Sequence, residues 1–164
     1  MSARNKLAIA LMLGAATLAA APAAISTAWA MGSSNPAPAA APADPDYAAG
    51  RAAIEKKDWP AAIDSLKKVV ARDGKNADAF NYLGYAQRNA GDLDNALVAY
   101  AKALEIDPKH RGAHEYMGEA YLMQKNLPKA EELLARLDKI CTFGCAEYRE
   151  LKAKVAEYKK QHSG

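Results

Sequence analysis

The sequence predicts an all-α chain built from antiparallel helix pairs, and three observations within residues 77–110, ADAFNYLGYAQRNAGDLDNALVAYAKALEIDPKH, point there. Phe80, Leu83 and Gly84, and then Ala96, Leu97, Tyr100, Ala103 and Leu104, recur at three- and four-residue steps, so each set occupies one face of a helix. Between them lies Asn89-Ala90-Gly91-Asp92, where Gly91 can take the left-handed conformation that ends a helix and Asp92 can cap the next one. Asp107-Pro108 then stops the second helix, because proline disfavours helical geometry in the residue before it and has no amide to donate. Gly84 and Ala96 are small in the middle of apolar faces. Glycine there costs ~1 kcal/mol of helix propensity, which a close approach of the two helix backbones would offset.

The pattern Leu83-Gly84, Gly91, Ala96, Tyr100, Ala103 and Pro108 resembles the tetratricopeptide repeat, a helix pair with a period of about 34 residues. Gln87 departs from it, standing where the repeat usually has an aromatic, and so weakens one packing contact without disturbing the register. The resemblance implies a right-handed α-solenoid of three such helix pairs over residues 44–142, in register windows 43–76, 77–110 and 111–142. A capping helix over residues 143–161 completes it.

Taken in order, residues 1–30 read as a secretory signal. Arg4 and Lys6 give a positive start, residues 7–21 are apolar and rich in Ala and Leu, and Ala28-Trp29-Ala30 supplies a small-x-small cleavage pattern with the cut after Ala30. The competing reading is an uncleaved anchor, but Pro22 interrupts the apolar run and a span wants about 20 apolar residues, so no stable membrane span is expected after cleavage. The Ala-rich style suggests bacterial export, to the periplasm or outside the cell. The chain has 22 Lys+Arg and 19 Asp+Glu; residues 1–30 hold Arg4, Lys6 and no acid, so residues 31–164 keep a formal charge of +1. That near-neutrality, with no basic stripe beside aromatics, argues against nucleic acid. Residues 31–43 are Gly, Ser, Asn, Pro and Ala without a period that could bury a face, and read as a flexible linker.

In the first repeat Gly50, Ala62, Leu66 and Val69 fall in register with Gly84, Ala96, Tyr100 and Ala103, and Asp58-Trp59-Pro60 opens its second helix. In the third, Met117-Gly118, Tyr121, Ala130, Leu134 and Leu137 continue the register and Asn126-Leu127-Pro128 opens the second helix. Tyr148, Leu151, Val155 and Tyr158 then mark one face of a last helix, while Arg149, Glu150, Lys152, Lys154 and Glu157 form a face expected to meet solvent.

Cys141 and Cys145 are the only cysteines, and an even count in an oxidising compartment favours a disulfide that fixes the angle of the last helix. Two alternatives stay open: redox activity, since Cys145 falls near a helix N-terminus where the dipole favours a thiolate, and a copper site on soft thiolates, with no histidine near in sequence and the folded distance to His162 undecided. His110 and His114 are four apart, but His110 follows Asp107-Pro108-Lys109 and precedes the helix, so no metal site is expected from them. No Ser-His-Asp set, phosphate loop or metalloprotease spacing occurs. The chain is therefore not expected to be an enzyme, and no cofactor is expected.

The resemblance also implies where binding occurs, because the first helices of successive repeats line a concave groove. The groove slots fall on Tyr47, Arg51, Ile54 and Glu55, then Asp78, Asn81, Tyr85, Arg88 and Asn89, then Glu115, Glu119, Leu122 and Met123. Tyr85, Leu122 and Met123 would hold apolar anchors of a peptide or partner helix, and Arg51 and Arg88 would meet its carboxylates. Members that clamp the carboxyl terminus of cytosolic chaperones use Lys, Asn and Arg at slots that here hold Tyr47, Arg51, Tyr82, Gly112 and Tyr116, of which only Arg51 suits that part. The cysteine-bearing tail is similar to tails on small exported bacterial members. The expected role is a scaffold for a protein or peptide partner belonging to an envelope complex. Self-association through the last helix is an alternative use of the groove.

Overall fold

The computed structural model describes residues 44–162; the segments read above as signal (1–30) and linker (31–43) lie outside them. The described residues form seven helices and no strand: α1 (Pro45–Glu55), α2 (Trp59–Arg72), α3 (Ala77–Asn89), α4 (Leu93–Ile106), α5 (Arg111–Met123), α6 (Leu127–Ile140) and α7 (Ala146–Gln161). The pairs α1/α2, α3/α4 and α5/α6 pack together, each stacks on the next, and α7 packs on both α5 and α6. None of the described helices is long and apolar enough to cross a membrane.

Local chemistry repeats along the chain. Asp58, Asp92 and Asn126 each accept a backbone N–H of the following helix, from Ala61, Asn95 and Lys129. The residue before each of them, Lys57, Gly91 or Lys125, has positive φ (58°, 88° and 59°). The cap N–H groups then donate back to Ala53, Gln87 and Tyr121 carbonyls at 2.8–2.9 Å, closing the turn as a left-handed helix stop. The expectation for Gly91 thus holds, and two lysines adopt the same conformation at the equivalent turns. Between pairs, Asp73 and Asp107 accept from Lys75 and Lys109. His110 caps α5 through Nδ1, accepting from the Ala113 N–H at 3.1 Å, and its Nε2 lies 3.0 Å from Asp78 Oδ1. His114 is buried, its Nε2 bonded to the Pro108 carbonyl, and burial lowers its pKa, so it sits neutral in the packing.

The small positions do what their placement suggests. A Cβ on Gly84 would lie 2.7 Å from Cε1 of Tyr100, whose ring is fully buried, and one on Gly50 would lie 2.7 Å from Cγ of Leu66. Ala62, Ala96 and Ala130 are fully buried opposite. The third pair differs from its expected register. A Cβ on Gly118 would meet Leu151 of α7 at 2.6 Å, and Leu134, which shares its register with Leu66 and Tyr100, is only half-buried while Leu133 and Leu137 are buried. Leucine 151 takes the place beside the glycine, so α7 is inserted into the third repeat's packing and Val155 and the half-buried Tyr148 and Tyr158 extend that contact. Gln87 is buried, and its side-chain oxygen has no hydrogen-bond partner.

At the start of the array Arg72 ties the end of α2 to the start of α1, bonding Asp44 at 2.8 Å and Asp46 at 2.7 Å, and its guanidinium holds the Asp44 carboxyl below the usual range. At the other end the Cα atoms of Cys141 and Cys145 are 5.5 Å apart and the sulfurs lie at bonding distance. Cys145 is the N-cap of α7 without a side-chain capping bond. His162 is engaged with its own helix, its ring stacked on Tyr158 at 4.0 Å and its Nδ1 on the Tyr158 carbonyl.

Candidate functional site

Aromatic and charged side chains of α1, α3 and α5 meet on one face. On α1 and α3, Tyr47 meets Tyr82 edge-on at 5.9 Å, and the Arg51 guanidinium lies 5.7 Å above the Tyr82 ring. On α3 and α5, Tyr85 and Tyr116 rings are 5.0 Å apart, and Trp59 at the start of α2 abuts Tyr85 at 6.1 Å. Arg88 sits over both rings, at 5.3 and 5.6 Å, and forms a short ion pair with Glu119. Lys154 of α7 reaches the other Glu119 oxygen at 3.3 Å. Burial raises the Tyr47 and Tyr116 hydroxyls to about 12, reinforced by Asp78 at Tyr47 and by Glu115 at Tyr116, so both remain neutral hydrogen-bonding groups.

An open cavity of about 360 Å³ on this face is lined by Tyr85, Arg88, Asn89, Glu115, Tyr116, Glu119, Glu150 and Lys154. Glu115 is 3% exposed. Burial, then the neighbouring Glu150, Glu119 and Glu147 carboxylates, push its pKa up to about 8. Beside it a more apolar cavity of about 280 Å³ is lined by Leu122, Met123, Lys154, Glu157, Tyr158 and Gln161.

The groove residues expected from sequence are distributed unevenly. Tyr85, Arg88, Asn89, Glu115 and Glu119 gather at one cavity and Leu122 and Met123 at its neighbour. Arg51 and Glu55 are exposed at the α1 end and Ile54 packs inward against Ala53 and Leu66. Asp78 is turned to His110, and Asn81 is buried against Gly112 with its Oδ1 unbonded. Arg88, expected to meet a partner's carboxylate, lies against Glu119 inside the chain. On α7, Glu150 and Lys154 of the exposed polar face also line this cavity. Their signal was present in the register, since Glu150 continues the slot of Tyr82 and Tyr116 at the same interval. Trp59 was read only as the opening of a helix, and its contact with Tyr85 had no sequence signal.

Residues 47–111 and residues 87–155 each match a family model described as Tetratricopeptide repeat. Over 64 residues the chain is 36% identical to an FK506-binding protein-like protein of Rattus norvegicus, covering 39% of this chain and 18% of that protein. The chain thus spans about a fifth of that relative's length. Its fold is similar to the TPR2B domain of yeast Sti1, solved in a pHsp70 complex, with a TM-score of 0.67 and 20% identity over 71% of this chain and 95% of that one. It is similar as well to PcrH, solved with the chaperone binding region of PopD, with a TM-score of 0.64 and 18% identity over 71% of this chain and 90% of that one.

Proposed function

The chain belongs to the tetratricopeptide repeat family, and from that premise we propose that it is a non-enzymatic scaffold that docks a peptide or partner helix on the face shared by α1, α3, α5 and α7. The observation that carries this reading is the 360 Å³ cavity, where helices of successive repeats converge with two tyrosine rings and several charged groups, the mix that recognises a peptide. The fold neighbours support it, since Sti1 TPR2B and PcrH were each solved with a bound partner. Export to the periplasm of a bacterium, action in an envelope complex and a Cys141–Cys145 disulfide are parts of the same proposal. They rest on Arg4, Lys6, the apolar run, Ala28-Trp29-Ala30 and the pairing distance of the sulfurs.

Co-purification from an envelope extract tests the reading, comparing the protein with Tyr85→Ala and with Val98→Ala on the exposed flank of α4. One partner retained by the parent and Val98→Ala but lost with Tyr85→Ala is the expected result; equal retention by all three takes the face out of the account. Redox or copper handling through Cys141 and Cys145 keeps one supporting observation, the place of Cys145 at the N-terminus of α7. That reading requires a thiol that, after mild reduction, alkylates well below the usual cysteine pH range.

A further inference from the structure

We propose that the cavity between α3, α5 and α7 receives a cationic side chain of the bound peptide, a lysine ammonium or an arginine guanidinium, between the carboxyl groups of Glu115 and Glu150 and against the rings of Tyr85 and Tyr116. This rests on the docking reading above and names the chemistry of its central contact.

Most charges around the cavity are already paired within the chain. Arg88 and Lys154 both pair with Glu119, one on each carboxylate oxygen. Glu147, at the start of α7, pairs with Arg111 at 3.7 Å. Glu115 and Glu150 then remain with no cation in an ion pair among the described residues, although both line the cavity. Glu115 is 97% removed from solvent, since only 3% of it is exposed. An ionised carboxylate that deeply buried costs several kcal/mol unless a partner compensates it. Its side-chain hydrogen-bond partner is the Glu150 carboxyl group, so the chain meets that cost by keeping a proton on Glu115.

A cation entering between the two carboxyl groups changes the balance. It attracts both and offsets the repulsion they would have with both ionised, so Glu115 releases its proton and binding and proton release are one event. The groups facing Glu115 from the packed elements are Tyr85 and Arg88 of α3, Tyr116 and Glu119 of α5, and Glu147, Glu150 and Lys154 of α7. Arg88 and Lys154 against Glu119 and Glu150 leave the lining neutral while Glu115 keeps its proton, and release of that proton makes it negative by one charge, which the entering cation offsets. The Tyr85 and Tyr116 rings line the same cavity, with the Arg88 guanidinium already over both. A carboxylate in the same place would meet Glu115 and Glu150 directly. The adjoining cavity, which shares Lys154 and offers Leu122, Met123 and Tyr158, suits an apolar residue next to the cation in the peptide. The recognised segment therefore carries a basic residue flanked by an apolar one.

The test uses three acetylated and amidated peptides, Gly-Ala-Leu-Xaa-Leu-Ala-Gly with lysine, norleucine or glutamate at Xaa, titrated calorimetrically into protein purified after expression of the full chain. Measurements at neutral pH in two buffers of different ionisation enthalpy count the protons released. The lysine peptide is expected to bind at least tenfold more tightly than the norleucine peptide, with the glutamate peptide weakest and close to one proton released per lysine peptide bound. Glu115→Gln should abolish the proton release and most of the preference. Glu150→Gln, a change on an exposed residue that leaves the core untouched, should reduce the preference as well. If norleucine binds as well as lysine, or glutamate better, while Tyr85→Ala weakens every peptide, cation selection is wrong and docking on this face stands. If no peptide binds, or Tyr85→Ala changes nothing, the docking reading fails and this inference fails with it.

Discussion

Replacing Gly84 by alanine sets two effects of opposite sign against each other. Mid-helix, alanine is favoured over glycine by about 1 kcal/mol of propensity, so helix chemistry alone predicts a more stable protein. The structure predicts the reverse. The new Cβ would lie 2.7 Å from Cε1 and 2.8 Å from Cδ1 of Tyr100, closer than carbon atoms pack. The Tyr100 ring cannot retreat outward, being fully buried with Tyr116 at 6.4 Å and its hydroxyl in the field of the Arg88 guanidinium. Overpacking of this kind costs about 1–3 kcal/mol, and a rigid, enclosed ring puts this site near the upper end. Subtracting the propensity gain leaves a net loss of about 1–2 kcal/mol. Urea unfolding followed by far-ultraviolet circular dichroism reads the difference. A double-mutant cycle with Tyr100→Ala locates it: with the ring gone the alanine methyl fills part of the cavity, so the two changes should couple favourably by about 1 kcal/mol or more. A Gly84→Ala protein stabilised by the full propensity difference, with additive effects in the cycle, would refute the close approach of α3 and α4.

Other consequences follow from the same packing. Ala96→Leu, at a fully buried position, should cost about 1–3 kcal/mol in the same assay. Leu151→Ala should cost about 2–5 kcal/mol, whereas Leu134→Ala, at a half-buried position, should cost clearly less; equal losses would return Leu134 to the place beside Gly118. Arg88→Met should lower stability by about 2–4 kcal/mol, less than a fully orphaned charge because Lys154 still reaches Glu119. The pH dependence has a defined sign: Glu115 is raised from 4.5 to about 8 in the fold, so the stability its protonated form contributes is complete below pH 4.5 and is lost as pH rises through about 8. Glu115→Gln, which cannot ionise, should therefore melt higher than the parent at alkaline pH and nearly equal to it in acid, as thermal scans across that window would register.

Much of the helical array was legible because the same few constraints recur along the chain. Asp58, Asp92 and Asn126 start helices at equivalent places, and Gly50 and Gly84 leave room for Leu66 and Tyr100. The third pair was misread for a physical reason. Leu134 and Leu151 are both apolar and both fall on amphipathic faces, so periodicity names two occupants for the space at Gly118, and only the packing of α7 decides between them. The site was legible as a face but not as a set of charges. Register places Tyr85, Arg88, Glu115 and Glu119 together, yet it does not reveal that Arg88 and Glu119 satisfy each other or that Lys154 joins them from α7. Those pairings depend on side-chain reach across helices far apart in sequence, which periodicity does not encode.

The central claim is that the face shared by α1, α3, α5 and α7 is where a partner docks. A photo-crosslinking residue placed at Asn89, exposed at the cavity edge, and separately at Val98, exposed on α4, tests it in intact cells expressing the full chain. The account predicts a discrete adduct from Asn89 that disappears in a Tyr85→Ala background, and none from Val98. An adduct from Val98 alone, or an Asn89 adduct indifferent to Tyr85, would contradict it.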